Sequence, residues 1–186
     1  MKVRDIVRSS ALILGKTDVM NYLDGEENNV GIDTLESVNL LTNLCTLVID
    51  ELSSTYIPLL KKERVSFSNN KYPFEQFEEK VVKVLAVYDL DGNKVGFSCD
   101  GTHLLANVSS CEVEYEYVPK NYGLDDETGY TELDLSTTAL AYGVTAEYCI
   151  TQGLFEQAVM HHKRYVDAVA EACLPKNKKI RARSWA

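Results

Sequence analysis

The sequence lacks most marks of the specialised protein classes. It holds no Cys-x-x-Cys pair, and 186 residues contain four prolines, three histidines and one tryptophan. No window has eighteen apolar residues in a row, so no membrane span is expected. The run Met1-Lys2-Val3-Arg4-Asp5 leads into a mixed stretch without the apolar core and small-residue cleavage site of a signal peptide, and none is expected. The five cysteines, Cys45, Cys99, Cys111, Cys149 and Cys173, are odd in number, far apart and mostly in apolar surroundings. They read as buried free thiols made in a reducing cytoplasm, not as a disulfide frame or a zinc site. There is no GxxxxGK[ST] or GxGxxG phosphate loop and no GxSxG elbow, so the commonest nucleotide-binding and hydrolase signatures are missing. Basic charge is also scarce: 19 lysines and arginines against 28 acidic residues leave a net charge of -9. That argues against a protein dedicated to coating DNA or RNA, which needs cationic surface to displace counterions, but it leaves room for a local basic patch.

What is present is ordinary globular material, 45% hydrophobic and 25% charged. A chain of this length buries roughly 70% of its unfolded surface and needs no metal or disulfide to hold a core. The pattern reads helices, then strands, then helices. Val3, Ile6, Val7, Ala11 and Leu14 keep helical spacing over 2–14, and a short helix follows over 17–23. Asp33 and Glu36 have capping-box spacing ahead of a long helix expected over 34–55, ended before Pro58. The rhythm then shortens. Val81–Tyr88 is rich in β-branched residues, Asp91-Gly92 and Asp100-Gly101 are hairpin turns, and Val95–Cys99 and Thr102–Leu105 are return strands. Val113, Tyr115 and Tyr117 alternate with Glu112, Glu114 and Glu116, giving one apolar and one acidic face. Arg64–Phe67 adds an earlier strand. After a polar, acidic loop over 120–135, a helix from Thr137 breaks at Gly153, and a second helix carries Leu154, Phe155, Ala158, Val159, His162, Tyr165, Val166, Val169 and Ala172 to a stop before Pro175.

The expected fold is therefore α+β. A helical core over 1–57 and 120–173 combines long N-terminal helices with a C-terminal antiparallel helical hairpin. A small antiparallel β-sheet, sandwich or barrel is inserted over 58–119, and an extended basic C-terminal tail covers 174–186. That tail holds Lys176, Lys178, Lys179, Arg181 and Arg183 with no acidic residue, so it carries +5 and residues 1–173 carry -14.

Candidate chemistry is sparse. His161 and His162 are adjacent on a helix and point about 100° apart, a poor metal pair. His103 lies beside Cys99 and Asp100 in no known ligand spacing. Asp89–Asn93 looks like a calcium loop but lacks its twelfth-position glutamate and sits between strands, so a turn accounts for it. The carboxylates Asp125, Asp126, Glu127, Glu132 and Asp134 read as a solvated loop rather than an acid/base cluster. Eleven tyrosines are many for this length. Tyr115, Tyr117, Tyr122, Tyr130 and Tyr142 are candidates for a subunit or tail interface, with packing of the sheet on the helices as the equal alternative. The basic tail is open to three readings: a solubilising end, a nucleic-acid contact or a docking peptide. Trp185 favours docking, because a terminal tryptophan beside arginine suits an interface pocket.

The segment ALAYGVTAEYCITQGLFEQAVMHHKRYVDAVAEA, residues 139–172, followed by KIRARSW at 179–185, resembles the C-terminal half of tailed-bacteriophage head-to-tail connector proteins, the adaptor or head-completion family. The matching positions are Ala146, Glu147, Tyr148, Gly153, Phe155, Glu156, Ala158, Lys163, Arg164, Tyr165, Arg181, Arg183 and Trp185. The loop over 117–134 is similar to connectors of short-tailed phages, and a β insertion between helices matches by layout. The resemblance covers residues 112–186. It implies a virion structural protein in the neck between capsid and tail, assembled in the host cytoplasm. Copies would form a ring, dodecameric in the family, on the portal protein. The tail residues Lys176, Lys178, Lys179, Ile180, Arg181, Arg183 and Trp185 would dock in the portal, a tail or nozzle protein would bind the other face, and double-stranded DNA would pass through without specific binding. Neither catalysis, cofactor, metal nor membrane enters that expectation. Two rivals stand beside it: a β-unit that binds a sugar or peptide on a helical support, and a small metal-dependent hydrolase built on His103 and the 125–134 carboxylates.

Overall fold

A computed structural model describes residues 1–26, 31–119 and 122–174. The fold is α+β, with five α-helices and two small antiparallel sheets. Helix α1 (Val3–Leu14) buries Val3, Ile6, Val7, Ser10 and Ala11, and α2 (Thr17–Leu23) buries Val19 and Leu23. Helix α3 (Ile32–Glu51) buries Val38, Leu41, Leu44, Cys45, Val48 and Ile49 and runs on into a π-helical turn, Leu52–Tyr56. It begins two residues earlier than its sequence suggests, capped by the extended backbone of Gly31, whose carbonyl accepts the Leu35 N–H at 3.2 Å. The Asp33–Glu36 capping box is thus not formed. Asp33 lies in the first turn, where its charge faces the positive end of the helix dipole. By mean hydropathy, 1.2 over its best window, the Ile32–Tyr56 segment is long and apolar enough to cross a membrane, a test that a search for unbroken apolar runs does not make. In this fold its Val38, Leu41, Cys45, Val48 and Ile49 lie in the helical core.

Helix α4 (Thr137–Thr151) starts at Ser136, whose Oγ accepts the Ala139 N–H at 3.2 Å. It is rich in small residues and buried on most sides, and it packs on α1, α3 and α5. A helix apolar all round belongs in the middle of a core, and α4 is there. Gly153, at φ +72, takes the left-handed conformation that turns the chain into α5 (Phe155–Ala172).

The strands form two sheets. The larger has the order β1 (Leu59–Ser66), β7 (Ser110–Val118), β3 (Lys80–Tyr88), β4 (Lys94–Val95), and the smaller has β2 (Lys71–Pro73), β6 (His103–Ala106), β5 (Phe97–Cys99). The period-2 alternation of β7 holds: Cys111, Val113 and Tyr115 are fully buried, in a cluster with Val65, Phe77, Val87 and Leu104. Two of its glutamates lie opposite basic residues of β1, Glu112 across from Arg64 and Glu114 across from Lys62, while Glu116 lies across from Leu60. Two strand expectations are corrected. The Val95–Cys99 strand is divided at Gly96, and its halves join different sheets. The Arg64–Phe67 strand starts earlier, at Leu59, because the charged run Lys61–Arg64 pairs its backbone with β7 while its lysines and arginine stay at the surface.

A second hydrophobic cluster gathers the helices with Leu59, Tyr130 and Leu135, and Tyr117 packs against both clusters. The acidic loop is not loose. Its carbonyls at Asp126 and Leu124 accept the Val3 and Arg4 N–H groups at 3.0 and 2.8 Å, and the Thr128 N–H donates to the Met1 carbonyl at 3.0 Å. The first two bonds serve N–H groups at the start of α1 that the helix itself cannot satisfy.

Candidate interaction surfaces

The expected docking residues Lys176, Lys178, Lys179, Ile180, Arg181, Arg183 and Trp185 lie outside the described residues. The five candidate interface tyrosines fall into two groups. Tyr115 is fully buried, its ring edge-on to Phe77 at 4.9 Å and its hydroxyl donating to Glu63 Oε2 at 2.7 Å. Burial, then the bond to Glu63, raises its pKa. Tyr130 is also buried, and its hydroxyl donates to the Ile57 carbonyl at 2.6 Å, tying the loop to the end of the α3 segment. These two are interior packing and present no ring to a neighbour, which corrects their reading as interface residues. Tyr117, Tyr122 and Tyr142 are half-buried. Tyr122 donates to the Thr128 carbonyl at 2.8 Å. Tyr142 stacks on His161 at 5.9 Å, while the Arg164 guanidinium lies 5.2 Å above its ring and donates to its hydroxyl at 3.3 Å.

The helical hairpin holds the surface that sequence reading missed. The single stripe expected on α5 resolves into two. Ala158, His161, Tyr165 and Val169 face α4 and are buried. Phe155, Val159, His162 and Val166 face outward, with Phe155 66% and Val159 70% exposed. With Ile150 of α4 they line an open apolar groove whose rim carries Glu147, Lys163 and Asp167. The correction has a simple cause. At 3.6 residues per turn the two sets sit about 90° apart on the helix, and only one can meet α4.

The remaining polar candidates are engaged locally. Asp125 pairs with Arg4 at 2.9 Å, and the hydrogen bond from that guanidinium lowers its pKa. Asp126 accepts the Gly123 N–H at 2.6 Å, Glu127 meets the terminal ammonium of Met1 at 3.5 Å, Asp134 accepts the Thr131 N–H at 2.9 Å, and Glu132 accepts from the Thr137 N–H and hydroxyl. His103 bonds Thr102 at 2.8 Å through Nδ1 and lies 3.5 Å from Asp100, in a strand of the smaller sheet. Asp89 accepts the N–H groups of Asp91 and Asn93 at 3.0 and 2.8 Å, the bonding of a tight turn. Among the described residues no group of three His, Cys, Asp or Glu side chains is placed to hold a metal ion. All five cysteines are free thiols. Cys45, Cys111 and Cys149 are buried, and burial pushes the Cys45 thiol up to about 12 and Cys111 to about 11. Cys99 and Cys173 are exposed, against the expectation that all five are interior, because each sits at the end of its element.

No family model matches the chain, and no curated protein matches it. The fold and surfaces define a class only: an acidic α+β chain whose C-terminal helix leaves an apolar face uncovered among the described residues.

Proposed function

We propose that this chain is a head-to-tail connector of a tailed-bacteriophage virion, a non-catalytic subunit of a ring that docks on the capsid portal and joins it to the tail. The observation that carries this reading is the apolar groove of the α4–α5 hairpin. It lies within the segment, 139–172, whose sequence resembles the connector family. Exposed side chains such as Phe155 and Val159 are costly in water when clustered, and a cluster of this kind marks a protein-binding surface. Charge supports the same reading. Residues 1–173 carry -14 and the tail +5, so the basic tail is the part suited to an acidic pocket on the portal, and an acidic body lining a channel repels phosphates and lets the genome slide. In this reading Lys176, Lys178, Lys179, Arg181 and Arg183 steer the tail, and Trp185 anchors it.

The test is co-sedimentation with the portal protein encoded in the same genome, comparing the full chain with one ending at Pro175. Binding in ring stoichiometry that disappears on truncation supports the reading. Failure of the full chain to bind refutes it and turns attention to a ligand-binding β-unit.

A further inference from the structure

We infer that the α4–α5 groove is a seat for a basic, tryptophan-anchored peptide, and that its occupant in the free chain is the C-terminal tail of the same molecule. Three observations select that segment. The first is charge. The groove lining holds two carboxylates, Glu147 and Asp167, against one ammonium, Lys163, with His162 between them. Glu171, exposed one turn beyond Asp167, extends the acidic side toward the end of α5. The tail carries five cations and no acidic residue. The second is the apolar surface. Ile150, Phe155, Val159 and Val166 line the groove and are open to solvent among the described residues. Trp185 is the only tryptophan of the chain, and an indole with cations nearby suits an apolar groove with an acidic rim.

The third is reach. The tail leaves from Leu174, just past the end of α5. Measured back along that helix at 1.5 Å per residue, the groove runs from about 12 Å away at Val166 to about 28 Å at Phe155. Residues 175 to 185 span up to about 36 Å when extended, so Trp185 can reach any part of the groove of its own chain. A short tether holds the tail near the groove at an effective concentration of about 1 mM, so an intrinsic Kd of about 0.1 mM fills the site about ten to one without a second copy. A second acidic recess, around Tyr117 and Tyr122, is a poorer seat, because its carboxylates are already engaged. Glu78 and Glu79 pair with Lys61 at 2.6 and 3.7 Å, Asp126 accepts the Gly123 N–H, and Glu127 meets the Met1 ammonium. The inference concerns the chain alone and does not rest on the connector reading. Under that reading the portal and the groove compete for one tail, and docking uncovers the groove.

Tryptophan fluorescence tests it, since Trp185 is the sole reporter. The full chain is compared with a synthetic peptide of residues 175–186 over about 1–50 μM, well below the effective concentration of the tether. The chain should emit at shorter wavelength than the peptide and be quenched less by acrylamide, equally at every concentration. Val159→Lys removes an apolar contact and puts a like charge in the groove, and Phe155→Ser is the second variant; both sites are exposed, and far-UV circular dichroism checks the fold. Emission and quenching of each should revert toward those of the peptide. Leu90→Lys, on the exposed turn between β3 and β4, should match wild type. Wild-type chain with peptide-like emission overturns the proposal. So does a blue shift that both groove variants leave intact, which would seat Trp185 elsewhere, or one that Leu90→Lys also abolishes. A blue shift that grows with concentration overturns it too, by assigning the groove to the tail of a second copy. Portal binding by a chain that fails this test would leave the connector reading standing and remove only the tail–groove contact.

Discussion

Gly143 is the place where three helices come closest, and replacing it with alanine sets two effects of opposite sign against each other. On α4 the added Cβ would lie 2.9 Å from Cγ1 of Val48 on α3 and 3.1 and 3.3 Å from ring carbons of Tyr165 on α5. Helix propensity favours alanine over glycine by about 1 kcal/mol. Overpacking a full core costs about 1–3 kcal/mol. The neighbours decide which wins. Val48 is β-branched, stiff at χ1 in a helix and 2% exposed, and Tyr165 is wedged at 2% exposed between the same helices. Neither has room to give, so Gly143→Ala is expected to lose about 1 to 2 kcal/mol net, a fall of roughly 2–8 °C in Tm for a chain of this size. Thermal unfolding followed by circular dichroism measures it. Val48→Ala supplies the decisive second step, because in the Gly143→Ala background it relieves the clash and should cost less than it does alone. A Gly143→Ala protein that melts higher than wild type, or a Val48→Ala cost that is the same in both backgrounds, would falsify the account of the three-helix contact.

The other predictions concern single groups. Tyr115→Phe removes the 2.7 Å bond to Glu63 without changing ring packing and should cost about 1–2 kcal/mol by urea unfolding; an unchanged midpoint would show that the bond contributes nothing net. In a thiol titration of the native chain, Cys99 and Cys173 should react promptly, whereas Cys45, Cys111 and Cys149 should react only on unfolding; prompt labelling of Cys45 would contradict its burial. His161 is buried against α4 beside Tyr142 and Arg164, and burial, then the nearby guanidinium, lowers its pKa below the ordinary 6.5. The unfolded chain then binds the proton more readily, so the contribution of neutral His161 is complete above about pH 6.5 and declines as pH falls toward the lowered folded value. His161→Leu should flatten that part of the stability profile between about pH 7 and 5; parallel profiles for the two proteins would remove His161 as the cause.

Much of the fold is legible in sequence wherever one local rule dominates. The spacing of Val3, Ile6, Val7 and Ala11 fixes α1, the alternation from Cys111 to Tyr117 fixes β7, and Gly92, Gly101 and Gly153 mark three chain reversals at positive φ. What is not legible depends on partners distant in the chain. Lys61–Arg64 has no strand signature of its own and becomes one because β7 offers a ladder along its full length. Phe77 sits in a segment with no period at all, yet it is 1% exposed, since it fills the space over Tyr115 between the two sheets. The acidic loop gives a composition typical of solvated chain, and nothing in that composition reveals that its carbonyls accept the first N–H groups of α1.

The candidate surface was hidden by an excess of signal rather than a lack of it. Helix α5 has apolar or aromatic residues at 155, 158, 159, 162, 165, 166, 169 and 172, enough for two stripes, and periodicity alone reads them as one broad face. The choice between them is made on α4. Its small side chains, with Gly143 at the centre, form a shallow seat that takes the Tyr165 ring, and this rotates Ala158, His161 and Val169 inward. Phe155, Val159 and Val166 are then forced out whatever their hydrophobicity. A chain that needed α5 only to close its own core would have no use for that second stripe. Clustered on one face and bordered by Glu147, Lys163 and Asp167, it has the make-up of a surface that binds another molecule.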